Sequence, residues 1–277
     1  MARDLTKHFS EPDIRNRIFD ADGNFIYTQD IAMDIAAGKV SGVSFVDKFG
    51  ETGENIDADD GLVDVWSGVA NANCNKNYVY SATADIDSIS SSSASDTEVI
   101  NVQGLDTNWD LTTQSITLTG QTRAPIPTPL IRVFRMFNEN GTPLVGTVYC
   151  YVNTTISGGV PTTPDPIRAI IDIGEEQTLM ALYTIPNGKT GYLLQGDVGL
   201  YSKSAGYCHG HFAIRKFGKV FRTQRTFGLA TTGTTSRPFV FKIPLPIPAK
   251  TDIRVRADSS ANNMGVFAAY EILLVDD

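Results

Sequence analysis

Gly-Val-Phe-Ala-Ala-Tyr-Glu-Ile-Leu-Leu-Val, residues 265–275, forms a long apolar run close to the end of the 277-residue chain. Before this run, Phe239–Ile243 and Ile253–Val255 show the alternation with a period of two that is typical of half-buried strands. Prolines at 244, 246 and 248 are expected to stop the first of these strands. We expect the strand at 265–275 to lie in the centre of a β-sandwich, because fraying there would expose the core.

From Gly61 onward the sequence repeats the pattern of strand, turn and strand. Asn187-Gly188 between two apolar runs predicts a β-hairpin, and Gly218 is the expected turn of another. β-Branched and aromatic residues in polar alternation predict strands at 78–81, 84–90, 98–105, 115–122, 130–138, 145–153, 178–185, 190–200, 209–217, 219–229 and 237–243. So many strands with almost no helix predict an all-β fold, a jelly-roll-like antiparallel β-sandwich.

Residues 1–60 differ from this body and are predicted to be an extended N-terminal arm with little regular structure. Asp30–Lys39 is the exception, a short helix with Asp30 as its N-cap and Gly38 as its C-cap. The arm has too few apolar residues for a core of its own, so we expect it to anchor the chain to a neighbouring protein. Residues 61–277 form the sandwich body, with a split into two β subdomains near 157–168 as an option, because Ser157–Pro166 resembles a linker.

The composition indicates a globular protein with a real core, since 42% of the residues are hydrophobic and 19% are charged. We predict no membrane partner, because no apolar stretch approaches the length of a membrane span. The three cysteines are far apart in the sequence, which favours reduced thiols and synthesis in the cytoplasm.

The net charge of −8 is unevenly spread along the chain. Residues 1–60 hold six basic and thirteen acidic residues, whereas residues 201–277 hold eleven basic and five acidic ones. Such polarity favours head-to-tail contact between copies, and a homo-oligomer is therefore expected. The residues predicted to form assembly interfaces are Arg215, Lys216, Lys219, Arg222, Arg225, Asp57, Asp59 and Asp60. The alternative is that both charged faces are simply solvated.

Two sequence patterns offer metal ligands. His209 and His211 would share one face of a strand and could bind a transition metal, but the sequence identifies no third ligand. Asp20–Asn24 and Asp57–Asp60 offer oxygen atoms to calcium, yet neither matches an EF-hand loop. Strand residues and solvated turns are the favoured interpretations, so we predict neither a metal nor a cofactor.

Residues 215–225 interleave basic and aromatic side chains, as strands that bind single-stranded nucleic acid do. Phe217, Val220 and Phe221 are equally well explained as inward-facing core residues, with the basic side chains outward toward acidic partners. The overall acidity also argues against nucleic acid. The sequence lacks the common catalytic motifs and has only three histidines, so we predict that the protein is not an enzyme.

Three segments, Thr184–Leu193, Ile247–Ala257 and Ile89–Thr97, resemble virion structural proteins of tailed bacteriophages. The likeness is greatest to proteins of marine phages, which share the Gly-Leu-Asp segment found here at Gly104–Asp106. It covers residues 61–277. The resemblance implies a β-sandwich component of the particle, at the capsid surface, neck or tail, with no catalytic residues.

Together these observations predict a non-enzymatic virion structural protein that self-assembles and docks onto other virion proteins, for example as a capsid decoration. The loops Ser90–Thr97 and Ala230–Ser236 are expected to face solvent. The alternative function is a receptor- or glycan-binding module of a fibre or spike, in which Trp66 and Trp109 would be the aromatic contacts.

Overall fold

The structure, a computed structural model, describes residues 18–19, 25–26 and 31–277. The chain divides into two compact units, Met1–Phe45 and Val46–Asp277. The predicted boundary between an arm, residues 1–60, and a body, residues 61–277, stays a prediction, as does the optional split near residues 157–168.

In the first unit, β1 (Ile18–Phe19) pairs antiparallel with β2 (Phe25–Ile26). The helix α1 (Ile31–Ala36) confirms the short helix predicted at Asp30–Lys39, and Gly38 has the left-handed φ of 67° expected at the end of a helix. The rest of the predicted arm up to Asp30, including the candidate calcium ligands at Asp20–Asn24, lies outside the described residues.

The second unit confirms the all-β prediction, and its sheets are antiparallel. In chain order its strands are β3 (Val43–Glu51), β4 (Val63–Asp64), β5 (Ile86–Ser91), β6 (Val99–Leu105), β7 (Leu111–Thr117), β8 (Ala124–Leu130), β9 (Arg132–Asn138), β10 (Val148–Val152), β11 (Ile156–Ser157), β12 (Val160–Pro161), β13 (Ile167–Ile171), β14 (Leu182–Thr184), β15 (Lys189–Arg215), β16 (Arg222–Ile247), β17 (Asp252–Ser259) and β18 (Gly265–Asp276). A 3-10 helix covers Ser67–Val69. No helix among the described residues is long and apolar enough to cross a bilayer.

The largest sheet is organised around β15. Along one side β15 pairs antiparallel with β16. Along the other side it pairs with β18 over its first half and with β17 over its second half. Beyond β17 lie β14 and β4, and beyond β18 lies β3. Across the first half of β15 the order is therefore β16, β15, β18, β3, with β16 and β3 as the two edges.

The remaining strands form smaller sheets, ordered β13-β10-β5-β8 and β7-β6-β9, together with the hairpin β11-β12. One core cluster joins these sheets to the large one, because it contains Ile89, Ile100, Val133 and Ile272 from four different strands. This shared core positions the loops between the sheets.

The position predicted for the strand at 265–275 is confirmed, since β18 lies between β15 and β3. Val266, Ala268, Tyr270, Ile272 and Leu274 are all at most 1% exposed, and the residues between them are half-buried. The apolar run at 265–275 is therefore a strand with one face in the core and the other half-buried.

Several local predictions are wrong. The prolines at 244 and 246 do not stop a strand, because β16 runs on to Ile247; at a sheet edge a missing N–H need not break the ladder. Asn187-Gly188 does not form a hairpin, because β14 pairs with β17 rather than with β15. The segment Ala230–Ser236 is part of β16 rather than a loop, although its described residues are mostly exposed, as expected. In the loop predicted at Ser90–Thr97, Ser90, Ser91 and Asp96 are buried, whereas Ala94, Ser95 and Thr97 are exposed.

Candidate partner-binding surface

The long hairpin of β15 and β16 turns at a set of residues that we call the basic turn (residues 215–222). Lys219 N–H donates to the Lys216 carbonyl over 2.9 Å, and Gly218 has a φ of 68°, so the predicted turn at Gly218 is confirmed. Glycine fits this conformation because side chains disfavour positive φ.

Two of the three apolar side chains of the basic turn point outward, so the alternative in which all three face the core does not hold. Phe217 is 63% exposed and Val220 is 71% exposed, whereas Phe221 is half-buried. The reason is that both residues belong to the turn beyond the last strand pair, where there is no core for them to enter. Exposed apolar residues clustered at one place are typical of interaction sites.

The cations of the basic turn are largely free to meet a partner. Lys216, Lys219 and Arg222 are exposed and make no ion pair with any described residue. Arg225, also predicted as an interface residue, lies further along β16, with its guanidinium 4.6 Å from the centre of the Phe241 ring. Residues 198–251 contain nine basic residues and no acidic one, so this stretch of the chain carries a concentrated positive charge.

Arg215 differs from the other cations because it is tied to a buried carboxylate. Asp252, 3% exposed, accepts hydrogen bonds from Arg215 Nε at 2.9 Å and from Arg132 Nε at 2.8 Å. The Thr184 hydroxyl donates to the same carboxylate over 2.7 Å. One carboxylate thus joins three strands beneath the basic turn, and such charge-assisted bonds are short and directional.

Aromatic rings alternate with guanidinium groups on this side of the basic turn. The Tyr80 ring lies 5.1 Å from the Arg132 guanidinium and 4.4 Å from that of Arg215. The Phe221 ring follows, 4.6 Å from Arg215 and 3.7 Å from Arg254. Each of these contacts is a cation–π interaction, and together they hold the base of the basic turn in one geometry.

A cleft of about 270 Å³ lies between the basic turn and two residues with left-handed backbone, Trp109 at a φ of 67° and Lys250 at 59°. The Trp109 ring is 5.5 Å from the Phe217 ring and 4.9 Å from the Arg132 guanidinium. Asp106 fixes the loop by accepting from the Asn108 and Asp110 amides. Strained backbone of this kind is concentrated at functional sites.

A second cleft, of about 400 Å³, lies on the other side of the basic turn. Its apolar lining comes from Ile214, Val220, Leu245 and Pro246, and its cationic lining from Lys216, Lys219 and Arg222. The basic turn therefore projects between two clefts, each of which combines apolar and cationic groups. An acidic and partly apolar protein surface is the kind of partner that this combination fits.

The acidic residues predicted for assembly are largely used within the chain. Lys76 Nζ lies 2.5 Å from the Asp60 carboxylate, which also accepts from the Asp57 amide. Burial acts to raise the pKa of Asp60, but the hydrogen bonds from Lys76 and Asp57 lower it overall. The Asp57 carboxylate accepts from the Asn263 amide, and Asp59 alone stays exposed.

The two histidines lie on one face of β15, as predicted, with their ring centres 5.1 Å apart. Burial and the neighbouring His209 lower the pKa of His211. In the part of the chain that the structure describes, no group of three or more His, Cys, Asp or Glu side chains could hold a metal ion. Among the described residues, the structure therefore adds no further metal ligand to His209 and His211 or to Asp57–Asp60.

The sequence reading missed four residues of this surface, Tyr80, Arg132, Lys250 and Asp252. They come from separate segments and are assembled only by the packing of the sheets, so no local spacing reveals them. Trp109 was named only as an aromatic contact in the glycan-binding alternative, and its left-handed backbone has no signal in the sequence. Trp66, the other tryptophan considered for glycan binding, is 1% exposed and packs in the core.

The sequence and the fold were compared with those of known proteins. No protein-family model matches the sequence, and no curated protein matches it. Among solved structures, one similar chain is from the structure of the infectious bursal disease virus Gt strain, with 13% identity, a TM-score of 0.22, and coverage of 90% of this chain and 74% of that chain. Another is the crystal structure of the infectious bursal disease virus VP2 subviral particle, with 11% identity, a TM-score of 0.22, and coverage of 86% and 73%. Likeness at this level supports no conclusion about the present chain.

Proposed function

We propose that the protein is a non-enzymatic virion structural protein that self-assembles and docks onto other particle proteins through the basic turn. The observation that carries the proposal is the exposure of Phe217 and Val220 among three cations without ion pairs. The resemblance of its segments to virion structural proteins and the all-β fold support the same function. In this proposal the protein works in the virion and requires neither cofactor nor metal.

A partner that covered the basic turn would bury its exposed apolar side chains. Burying Phe217 and Val220 would contribute about 1 to 2 kcal/mol each, given their present exposure. Lys216, Lys219 and Arg222 would speed the encounter with an acidic surface and orient it, more than they would add affinity. The stack beneath the basic turn lowers the entropy cost of binding, because the docking element is already ordered.

A pair of matched variants tests the docking role. Phe217→Ser combined with Val220→Ser should abolish self-association in light scattering and incorporation into particles. The control is Val145→Ser combined with Ile173→Ser, which removes side chains that are 62% and 64% exposed elsewhere on the surface. Equal loss in both double variants, or none in the first, would contradict the proposal. Mass spectrometry of purified particles should find the chain at a fixed ratio to the major particle protein.

The N-terminal residues are proposed to anchor each copy to its neighbours. The structure suggests a sharper deletion than one ending at residue 60, because β3 begins at Val43 and lies next to β18. Removal of residues 1–42 should leave a body that melts cooperatively but does not enter particles. Removal of residues 1–60 should also lower the melting temperature, since it uncovers one side of β18. Normal incorporation of the shorter deletion would contradict the anchor role.

One observation favours the second candidate, a receptor- or glycan-binding module. The cleft of about 270 Å³ places Trp109 and Phe217 beside Lys216, Lys219 and Lys250. Aromatic rings beside cations suit a sugar that carries a carboxylate or sulfate. An array of acidic glycans should then show hits that disappear with Trp109→Ala. An array without hits would leave the docking role as the function of this surface.

A further inference from the structure

A third cleft, of about 180 Å³, lies on the outer face of the four-stranded part of the large sheet, and we call it the acidic cleft. Asp47 of β3, Asp197 of β15 and Glu271 of β18 all line it. Asp197 is opposite Pro238 of β16, and Gln195 is opposite Val240, which is 66% exposed. Since opposite residues of paired strands share a face, Pro238 and Val240 form an apolar rim beside the carboxylates.

The negative charge of the acidic cleft is not neutralised by any described residue. None of the three carboxylates forms an ion pair. Burial and the charge of Glu271 raise the pKa of Asp47, although Lys48 opposes this. Lys48 itself points to the other face of β3, where its amine donates to the Phe134 carbonyl. Asp197 Oδ1 is buried and has no hydrogen-bond partner in the part of the chain that the structure describes.

The basic turn and the acidic cleft lie toward opposite ends of the same strand. Asp197 is near the start of β15 and Arg215 is its last residue. At roughly 3.3 Å per residue they are on the order of 60 Å apart along the strand. The exposed cations of the basic turn therefore cannot reach the acidic cleft of their own chain. Only another molecule can bring cations to that cleft.

We propose that the acidic cleft of one copy receives the basic turn of a second copy. This inference rests on the proposed function for the docking role of the basic turn, and it names the partner. Three unpaired carboxylates would meet Lys216, Lys219 and Arg222, and the apolar rim would meet Phe217 and Val220. The two surfaces are complementary both in charge and in apolar area. Opposite charges orient the partners, and the buried apolar area contributes affinity.

Such a contact is heterologous, because two different surfaces of the same chain meet. It produces a ring if the rotation between successive copies closes and a filament if it does not. The repeat along the assembly is expected to be on the order of 60 Å, the distance between the two surfaces along β15. Electron microscopy of associated protein would measure this repeat directly.

A charge-swap experiment tests the contact on the full chain. One variant carries Lys216→Glu and Lys219→Glu, and the other carries Asp47→Lys and Glu271→Lys. Each variant alone has two like-charged surfaces, so both should stay monomeric at protein concentrations where the wild type associates. An equimolar mixture should regain the wild-type mass, because both possible contacts between the two variants pair opposite charges. Added salt should reduce association in the wild type and in the mixture.

The control is Arg123→Glu combined with Lys203→Glu, which changes the net charge by the same amount as the first variant but at exposed residues that line neither surface. It should associate like the wild type, and circular dichroism and thermal melting should show that all variants fold. The proposal is overturned if the wild type is monomeric at every salt concentration, if either swap variant still associates, or if the mixture does not. Detection of the chain in purified particles is a separate readout, which decides the virion role whatever the result of the mixing.

Discussion

The buried lysine on β3 provides a quantitative test of the structure. Lys48 is 6% exposed, and its amine donates to the Phe134 carbonyl over 2.6 Å. Burial, together with the nearby charge of Arg135, lowers its pKa to about 7, although Asp47 opposes the shift. The unfolded chain has the ordinary pKa of about 10.5 at this side chain. Between these two values the unfolded state binds more protons than the folded state, so stability rises with pH.

The size of the effect follows from the two pKa values. The penalty for the charged amine is fully present below pH 7 and disappears as pH approaches 10.5. Between pH 7 and pH 9 the folded protein should gain about 2 kcal/mol from this residue. Lys48→Met keeps most of the apolar stem and cannot titrate. The difference in unfolding free energy between wild type and variant should therefore shift by about 2 kcal/mol in favour of the wild type over this range.

Urea unfolding of both proteins at pH 6, 7, 8 and 9 measures this difference. Any constant cost, such as the lost hydrogen bond to Phe134, appears at every pH and does not change the slope. Lys203→Met is the control, because that side chain is 86% exposed and its pKa is raised by Glu54, so it does not titrate in this range. Parallel pH profiles of wild type and Lys48→Met would show that the amine is not buried as described.

Three further predictions concern stability. Asp252→Ala should cost about 3 to 5 kcal/mol in urea unfolding, because it leaves the buried Arg132 without its carboxylate. Its control is Asp276→Asn, at an ion pair with Lys189 nearer the surface, which should cost less than about 1 kcal/mol. Similar losses in the two variants would refute the buried network. Tyr270→Phe should leave stability unchanged or raise it by about 1 kcal/mol, since the Tyr270 hydroxyl is buried without a hydrogen-bond partner; a clear loss in thermal melting would reveal a partner for the hydroxyl. Ile243→Thr should not lower the melting temperature, because the side chain is 85% exposed, and a large drop would mean that this part of β16 is covered.

The sequence by itself determined where many of the strands form and where one tight turn lies. The alternation at Phe239–Ile243 and Ile253–Val255 predicts half-buried strands because the side chains of a strand point to alternate faces, whatever the partner strands are. Gly218 marks the turn of the β15–β16 hairpin because a positive φ is a local steric demand. These features depend on near neighbours in the chain, and near neighbours are what a sequence shows.

Only the tertiary structure decided which strands pair, which faces are covered and which charges meet. In the sequence, Phe217 and Val220 would suit a core or a surface, and it is the end of the strand pairing that leaves them exposed. Arg132 and Asp252 are separated by 120 residues, and the packing of β9 against the large sheet brings them together. Contacts between distant segments are set by the burial of whole sheet faces, so the candidate site exists only in the folded chain.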